Sequence, residues 1–524
     1  MQLCAWLGGR NAAATGTMTT FARREWLFIA LVAAFGAIFM LEYPASFAIA
    51  DECEILSLAY SIAHGTVYPD RAGLLTWNPS MELAAGGHRI VKYSPFHAML
   101  LAPAVASDWR LGFLVSAAFF IVGAFAVRAM LREAGLATDW CILYFILPGM
   151  LYYSATLMAA VPSAAMGAVG AALLWRECPR RIWGALALGA AVLLHEWMAV
   201  FAIASAGAWW LSRPRAGRWS DAVALAAGAA PAIIALGAYN YATTASALRG
   251  GYAINGEAFW FTGEHFASFF PFYVASIVIF PVAGLAALSP RWSRGWQTPA
   301  AVAAVVIAAS LYGYRDGLTS GLAPAAAMLA GAVPGQRFIL PASVIACIPA
   351  ARWLDQRLGQ RGFAWTTASR SAALAAFVAC FGVIAALHED FLRANAAVQT
   401  AIARAVPAGG QIMGADEVLK ELAPVYRNVR LRQVAPDDPN VAAATDSYLI
   451  WMGAPGAEPP PDWTRGRRTE LVRARSWAWN RDLWIAWPRD AHANAAAYLI
   501  GLRTATCAQQ FADIMKGSVR GHQC

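Results

Sequence analysis

Between Ala50 and Pro103 the chain opens with ADECEILSLAYSIAHGTVYPD and closes with HRIVKYSPFHAMLLAP. Two adjacent carboxylates, Asp51 and Glu52, begin the stretch; His88, Arg89, Lys92 and Tyr93 lie near its end. A carboxylate facing cations in a half-dry cavity suits acid/base chemistry on a phosphorylated substrate. One group takes a proton while the others hold an anion. The same residues also admit a structural reading. Asp51 as N-cap with Glu54 at N3 makes a capping box that satisfies orphan helix amides. That reading leaves Glu52 and the distant Lys92, Tyr93, His88 and Arg89 unexplained.

Three other constellations stand out. His195-Glu196 resembles the start of the H-E-x-x-H zinc-protease motif, but Trp197, Met198 and Ala199 follow, so the second histidine is missing. The pair is then either a polar break between helices or part of a cavity lining. Arg315-Asp316 reads as a self-satisfied ion pair or as a substrate contact. Arg337, followed by Phe338 and Pro341, has no acid near it in sequence. It is an interface anchor or a phosphate ligand, for which guanidinium geometry is suited.

The elements that must hold these groups are apolar. The 524 residues are 59% hydrophobic and 14% charged, where a soluble domain is nearer a quarter charged. Apolar runs recur from Leu27 to Leu387. The net charge of +9 does not point to nucleic acid, because arginines cluster between those runs. The clusters are Arg23/Arg24, Arg128/Arg132, Arg176/Arg180/Arg181, Arg213/Arg215/Arg218, Arg291/Arg294 and Arg352/Arg357/Arg361. Placed on the cytoplasmic side, each pair of clusters encloses a hairpin. The runs are Trp26–Ala48, Leu111–Val127, Trp140–Ala155, Ala160–Trp175, Ile182–Leu194, Trp197–Leu211, Ala222–Tyr241, Phe269–Leu288, Pro299–Gly313, Phe338–Ala351 and Ser371–Leu387. The expected fold is mainly α: a polytopic membrane protein of about eleven spans, N-terminus inside and C-terminus outside.

The first run is too long for a signal peptide and lacks a cleavage site; Met18 is an alternative start. Expected domains are a cytoplasmic N-terminus (1–25), a transmembrane domain (26–388) with its first outer loop at 49–110, and an extracytoplasmic α/β domain (389–524). Within the loop, residues 51–64 read as a surface helix. Ile55, Leu58, Ala59 and Ile62 form its apolar stripe, Glu54, Ser57, Ser61 and His64 its polar one, and Gly65 its end. Ser94–Ala106 reads as a shorter helix along the interface. The legs around His195-Glu196, about 14 residues each, are too short to cross a bilayer, so their tip lies below the outer surface. In the tail, Phe391–Ala405 has helical period, while Tyr448–Met452 and Leu483–Trp487 read as strands. No cysteine pair has zinc-site spacing; Cys507 and Cys524 are either free thiols or a disulfide.

The Asp-Glu pair, the run to Tyr68-Pro69 and Tyr93-Ser94-Pro95 together resemble the first outer loop of the glycosyltransferase-C superfamily. Its members are integral membrane enzymes using polyprenyl-phosphate sugars, among them protein O-mannosyltransferases and lipid A aminoarabinose transferases. Leu147–Ala155 (LPGMLYYSA) and Gly335–Pro341 (GQRFILP) are similar to two further family segments. Ser94 replaces the first proline of the family's Tyr-Pro-Pro.

The resemblance implies an inner- or plasma-membrane enzyme that moves a sugar from a polyprenyl-phosphate carrier to an acceptor hydroxyl at the outer face, with inversion. The acceptor is a lipid, glycan or protein; the bilayer itself is a partner and nucleic acid is not. Asp51 is then the general base, with Glu52 beside it as a catalytic residue. Lys92, Tyr93, His195, Glu196, Arg315 and Arg337 are the expected substrate contacts. Many members carry a second acid after the third span, whereas Leu151–Trp175 has no Asp or Glu. Two carboxylates alone are thin support for a divalent cation at Asp51/Glu52, so no cofactor is firmly expected. The rival from another class is a transporter or flippase of a lipid-linked anion, though no inverted repeat is visible.

Overall fold

The computed structural model describes residues 18–47, 50–69, 81–83, 87–175, 181–254, 263–312 (except 283 and 294), 336–414 (except 408), 430–434, 441, 444–476 and 481–489. It is mainly helical with a small sheet. Helices α1 (Met18–Leu41), α2 (Ala50–Ala63), α3 (Pro95–Ser107) and α4 (Phe113–Glu133) come first, with a short hairpin, β1 (Met81–Leu83) and β2 (Arg89–Val91), between α2 and α3. There follow α5 (Ile142–Phe145), α6 (Pro148–Ser154), α7 (Ala160–Trp175), α8 (Arg181–Leu194), α9 (Met198–Ser212) and α10 (Arg218–Thr244). The helical series closes with α11 (Gly251–Ile254), α12 (Gly263–Ile279), α13 (Gln297–Tyr312), α14 (Leu340–Gly359) and α15 (Thr367–Ala405).

Among the described residues, three helical stretches are long and apolar enough to cross a membrane: Trp109–Glu133, Arg215–Thr244 and Thr367–Ala405. Shorter apolar helices pack around these: α7 on α4, and α8 and α9 on α10, while α13 packs on α9. Where helices pass closely, small residues permit it, as expected where lipid supplies no hydrophobic drive between helices. A Cβ on Gly228 of α10 would stand 2.5 Å from the Ile182 carbonyl oxygen of α8.

Several sequence expectations change. The run Trp140–Ala155 is not one helix: it breaks before Pro148, which lacks the amide that would continue α5 into α6. The run Phe269–Leu288 likewise ends at Ile279, two residues before Pro281, and resumes as a 3-10 turn, Gly284–Leu288. The last run and the expected tail helix Phe391–Ala405 are a single 39-residue helix, α15. No proline or glycine separates them, and the polar His388-Glu389-Asp390 does not break a helix. Its start is fixed by a capping box between Thr366 and Ser369.

Helix α2 ends as expected, with Gly65 at φ +77°, and the Thr66 and Gly65 amides turn back to the Ser61 and Ile62 carbonyls. It is not a surface helix, however. Glu52, Glu54, Ser57 and Ser61 are all buried, along with Ile55, Leu58 and Ala59. The serines are tolerated there because Ser57 Oγ donates to the Cys53 carbonyl (2.9 Å) and Ser61 Oγ to that of Ser57 (2.7 Å).

The tail contains β3 (Gln411–Gly414), β4 (Arg430–Gln433), β5 (Tyr448–Gly453), the short helix α16 (Pro461–Thr464), β6 (Thr469–Ala474) and β7 (Arg481–Ala486). The strand order is β4-β3-β5-β7-β6. β3 runs parallel to β4 and β5, while β7 is antiparallel to β5 and β6. Side-chain alternation gives this sheet two apolar faces. Leu449 and Met413 join a small core with Trp463. Ile450, Ile412 and Ile485 belong to the large core that also holds Val398 and Ile402 of α15.

Candidate active site

Asp51 and Glu52 lie in the first turn of α2, where acidic groups oppose the helix dipole favourably. Asp51 is one residue inside the helix, and its carboxylate turns to side chains from distant parts of the chain. Successive helix residues project about 100° apart, so the two carboxylates meet different partners.

Asp51 Oδ2 pairs with Arg337 Nη1 at 3.1 Å, with the two side chains 17% and 10% exposed. The acid missing from the sequence around Arg337 is therefore supplied 286 positions earlier. Tyr93 also donates its hydroxyl to Asp51. Burial pushes the Asp51 pKa up, but Arg337, Lys92 and the hydrogen bonds from Tyr93 and Arg337 outweigh it and hold the carboxyl below its usual range. Burial, reinforced by Asp51, keeps the Tyr93 phenol strongly protonated. The Lys92 ammonium lies 5.2 Å from the Tyr93 ring centroid.

Arg337 is held in a 3-10 turn, Gln336–Phe338, before α14. Its guanidinium stacks 4.8 Å over Phe338. Trp197 Nε1 donates to the Phe338 carbonyl at 2.8 Å, and the Trp197, Tyr312 and Phe338 rings pack mutually at 5.2–5.7 Å. Gln336 Oε1 accepts from the Gly149 amide at 3.0 Å. A Cβ on Gly149 would come within 2.8 Å of Gln336 and Leu340, so a glycine is needed there. The LPGMLYYSA and GQRFILP stretches thus touch through Gly149 and Gln336.

Glu52 is fully buried and accepts the Leu157 amide at 2.6 Å. The Leu157 carbonyl takes His97 Nε2 at 2.7 Å. Glu52 and His97 therefore clamp both sides of one residue in the α6–α7 connection.

The remaining expected contacts divide. His195 and Glu196 occupy the α8–α9 connection and line a small cavity with Tyr93, Ser94, His97 and Tyr252. Arg315 and Asp316 lie outside the described residues, as do Cys507 and Cys524. A divalent cation does not suit this arrangement. Asp51 is engaged by Arg337 and Tyr93, Glu52 by a backbone amide, and no cluster of three His, Cys, Asp or Glu forms a metal site among the described residues. Sequence reading missed His97, Trp197, Tyr252 and Gln336. The one available signal was a histidine just after Pro95 inside an apolar run.

Neither a protein-family model nor a curated protein matches the sequence. The structure does match solved ones, and the likeness is one of fold. The chain is similar to ArnT from Cupriavidus metallidurans, an aminoarabinose transferase, in the apo state and bound to undecaprenyl phosphate. Each match has TM-score 0.56 and covers 88% of this chain and 98% of that chain, at 13% and 12% identity. The arabinofuranosyltransferase AftD from Mycobacteria matches at TM-score 0.47 and 11% identity, over 88% of this chain and 40% of that one; a likeness that low carries no argument. The shared feature is the fold.

Proposed function

We propose that the protein is a membrane glycosyltransferase that moves a sugar from a polyprenyl-phosphate carrier to an acceptor hydroxyl at the outer membrane face. The observation that carries this reading is the meeting of Asp51, Arg337, Lys92 and Tyr93 beside a polar cavity, within the fold of an enzyme solved with undecaprenyl phosphate.

Arg337 and Lys92 hold the donor phosphate, the guanidinium through two parallel hydrogen bonds. The acceptor oxygen attacks the anomeric carbon from the face opposite the phosphate. The bond from that carbon to the phosphate oxygen breaks, and its electron pair leaves with polyprenyl phosphate. The acceptor proton passes to Asp51, and the configuration inverts. The phosphate competes with Asp51 for Arg337, so donor binding loosens the ion pair. Asp51 then becomes more basic when a base is needed, because removing a nearby cation raises a carboxyl pKa.

The arginine clusters support about eleven spans with the α2 end and the β3–β7 sheet outside. A cysteine replacing Asp462, on the exposed helix α16, should react with an impermeant maleimide in spheroplasts; labelling only after lysis would reverse the orientation.

The central test is transfer of radiolabelled sugar from a polyprenyl-phosphate donor by purified protein. Asp51→Asn should lower turnover by about 10²–10⁴ and leave the fold intact. Near-normal transfer by that variant would return Asp51 to a capping role, since Asn caps a helix as well as Asp. Lipid flipping between leaflets without bond cleavage would favour a transporter.

A further inference from the structure

Lys92 and Tyr93 stand between β2 and α3, in a short link that belongs to neither element. No helix or sheet ladder fixes their backbone there, yet both side chains must reach Asp51 from it. Ser94 ties the link on one side, its Oγ donating to the Leu193 carbonyl at the end of α8 (2.5 Å). On the other side stands Gly250-Gly251-Tyr252, which opens α11.

That stretch touches the link directly. A Cβ on Gly251 would stand 2.5 Å from Lys92 Cα and 2.6 Å from its carbonyl oxygen. Both are backbone atoms, so no change of rotamer makes room and one chain has to move. One residue further, the Tyr252 ring meets the Tyr93 ring edge to face, with centroids 5.7 Å apart, an arrangement that the ring quadrupoles favour. Tyr93 in turn donates to Asp51.

The turn before α11 is seated on the end of α10. Thr244 Oγ1 has the Asn240, Ser246 and Arg249 carbonyls within 3.0 Å for its one proton. Ala245, at φ +58°, returns its amide to the Tyr241 carbonyl at 3.0 Å. With the turn anchored this way, the Lys92 link is the part that yields. It would withdraw by about 1 Å to turn 2.5 Å into an ordinary contact, and a misplacement of about 1 Å can cost about 10²-fold in rate. Gly250 is under no such constraint. A Cβ there would meet the Glu196 carboxyl oxygens at 3.3 Å, and these are the movable end of a side chain.

We propose that Gly251 and Tyr252 are positioning residues for the reaction. Gly251 sets how closely the Lys92 backbone lies against α11, and Tyr252 holds the Tyr93 ring, so that ammonium and phenol reach Asp51 together. Both act through Lys92 and Tyr93 rather than on the reacting atoms. The inference rests on the roles given above to Asp51 and Lys92 in sugar transfer.

The test follows transfer of radiolabelled sugar from the polyprenyl-phosphate donor by the full chain in nanodiscs, with thermal unfolding of each variant alongside. Gly251→Ala should lower kcat/KM by about 10²-fold, whereas Gly250→Ala, one residue earlier, should stay near the wild-type rate. Tyr252→Ala should lower the rate by about three- to tenfold, and Tyr252→Phe, which keeps the ring, should restore most of that loss. In a Tyr93→Phe background Tyr252→Ala should add little, because the hydroxyl it would position is gone. A near-normal rate for Gly251→Ala, with Asp51→Asn and Lys92→Ala impaired, would overturn the inference and leave the transfer reading standing. Equal losses in Tyr252→Phe and Tyr252→Ala would make the Tyr252 hydroxyl the working group, and an undiminished Tyr252→Ala loss in the Tyr93→Phe background would break the link between the rings; either overturns the inference. If Gly251→Ala does not fold, the Tyr252 variants, which need no backbone shift, decide. If Asp51→Asn and Lys92→Ala both transfer sugar normally, the transfer reading falls and this inference with it.

Discussion

The two ends of the helical bundle treat carboxylates differently. At the arginine-bearing helix ends, each buried acid is matched by cations. Glu25 takes both Arg128 (2.9 Å) and Arg132 (2.5 Å), Asp139 takes Arg370 (2.9 Å), and Asp221 takes Arg181 and Arg213. At the opposite end, Asp51 has one arginine, Glu52 a backbone amide, and Glu196 neither a cation nor a hydrogen bond among the described residues. Charges that are fully paired hold helices together. Glu196, without such a partner among the described residues, lines the cavity at that end. The contrast teaches where to look for chemistry in a bundle whose acids are few.

The sharpest way to break this comparison is to remove an acid from the paired end. Glu25→Gln removes the carboxylate that Arg128 and Arg132 share, Arg128 being only 9% exposed, and should cost about 3–5 kcal/mol of stability. Thermal unfolding in detergent measures it, and transfer by the surviving folded fraction should be near normal. A variant that unfolds no earlier would show that the paired end is not structural. Next in size is Arg337→Lys, which keeps the charge but loses the planar fork. Donor saturation should weaken by about tenfold or more, without loss of fold; unchanged saturation would make Arg337 an anchor. Glu52→Gln should be milder, since the amide oxygen still accepts from Leu157. About 1 kcal/mol of stability is expected to go with the charge, and the rate should fall less than about tenfold. A fall comparable to that of Asp51→Asn would place Glu52 among the reacting groups.

The smallest effect is on pH. The folded Asp51 pKa is depressed below the unfolded value near 3.8, so the carboxylate's stabilisation is fully present above that value. It is lost as pH falls through the lower folded pKa. The difference in unfolding temperature between wild type and Asp51→Asn should therefore be constant from neutral pH to about 5 and shrink only below about 4. A difference that fades nearer neutrality would contradict the direction of the shift.

Much of the fold was legible because apolar period and arginine spacing report local preference. Ala160–Trp175 has the expected bounds, and the α8 and α9 helices fall within a residue of theirs. Helix α2 departs from its expected surface position for a physical reason. Residues 51–64 show two stripes of different polarity, and a polar stripe predicts a water-facing surface, whereas Ser57 and Ser61 are satisfied on their own helix and Glu52 on a distant loop. At the site, Asp51, Lys92, Tyr93 and Arg337 were individually visible as charged or polar residues in apolar surroundings. Their pairing was not, because nothing local joins Asp51 to Arg337. Trp197 was read only as the start of a span, since its part in fixing Phe338 depends on a tertiary hydrogen bond.

Helix α15 is mechanically continuous from the bundle to the sheet. At 1.5 Å per residue its 39 residues make a rod about 58 Å long, roughly twice the thickness of a bilayer's apolar layer. One end is tied to Asp139 through Arg370, and the other packs against the β3–β7 sheet. Along its length it grips the segment that leads into α2. Glu389 accepts the Ala45 amide, Asn395 donates to the Phe47 carbonyl, and Gln399 accepts from Ser46. Phe47 is four residues from Asp51. A rod without a proline or glycine bend at that grip works as a lever, so a load on the sheet would be delivered as a displacement at the threshold of α2.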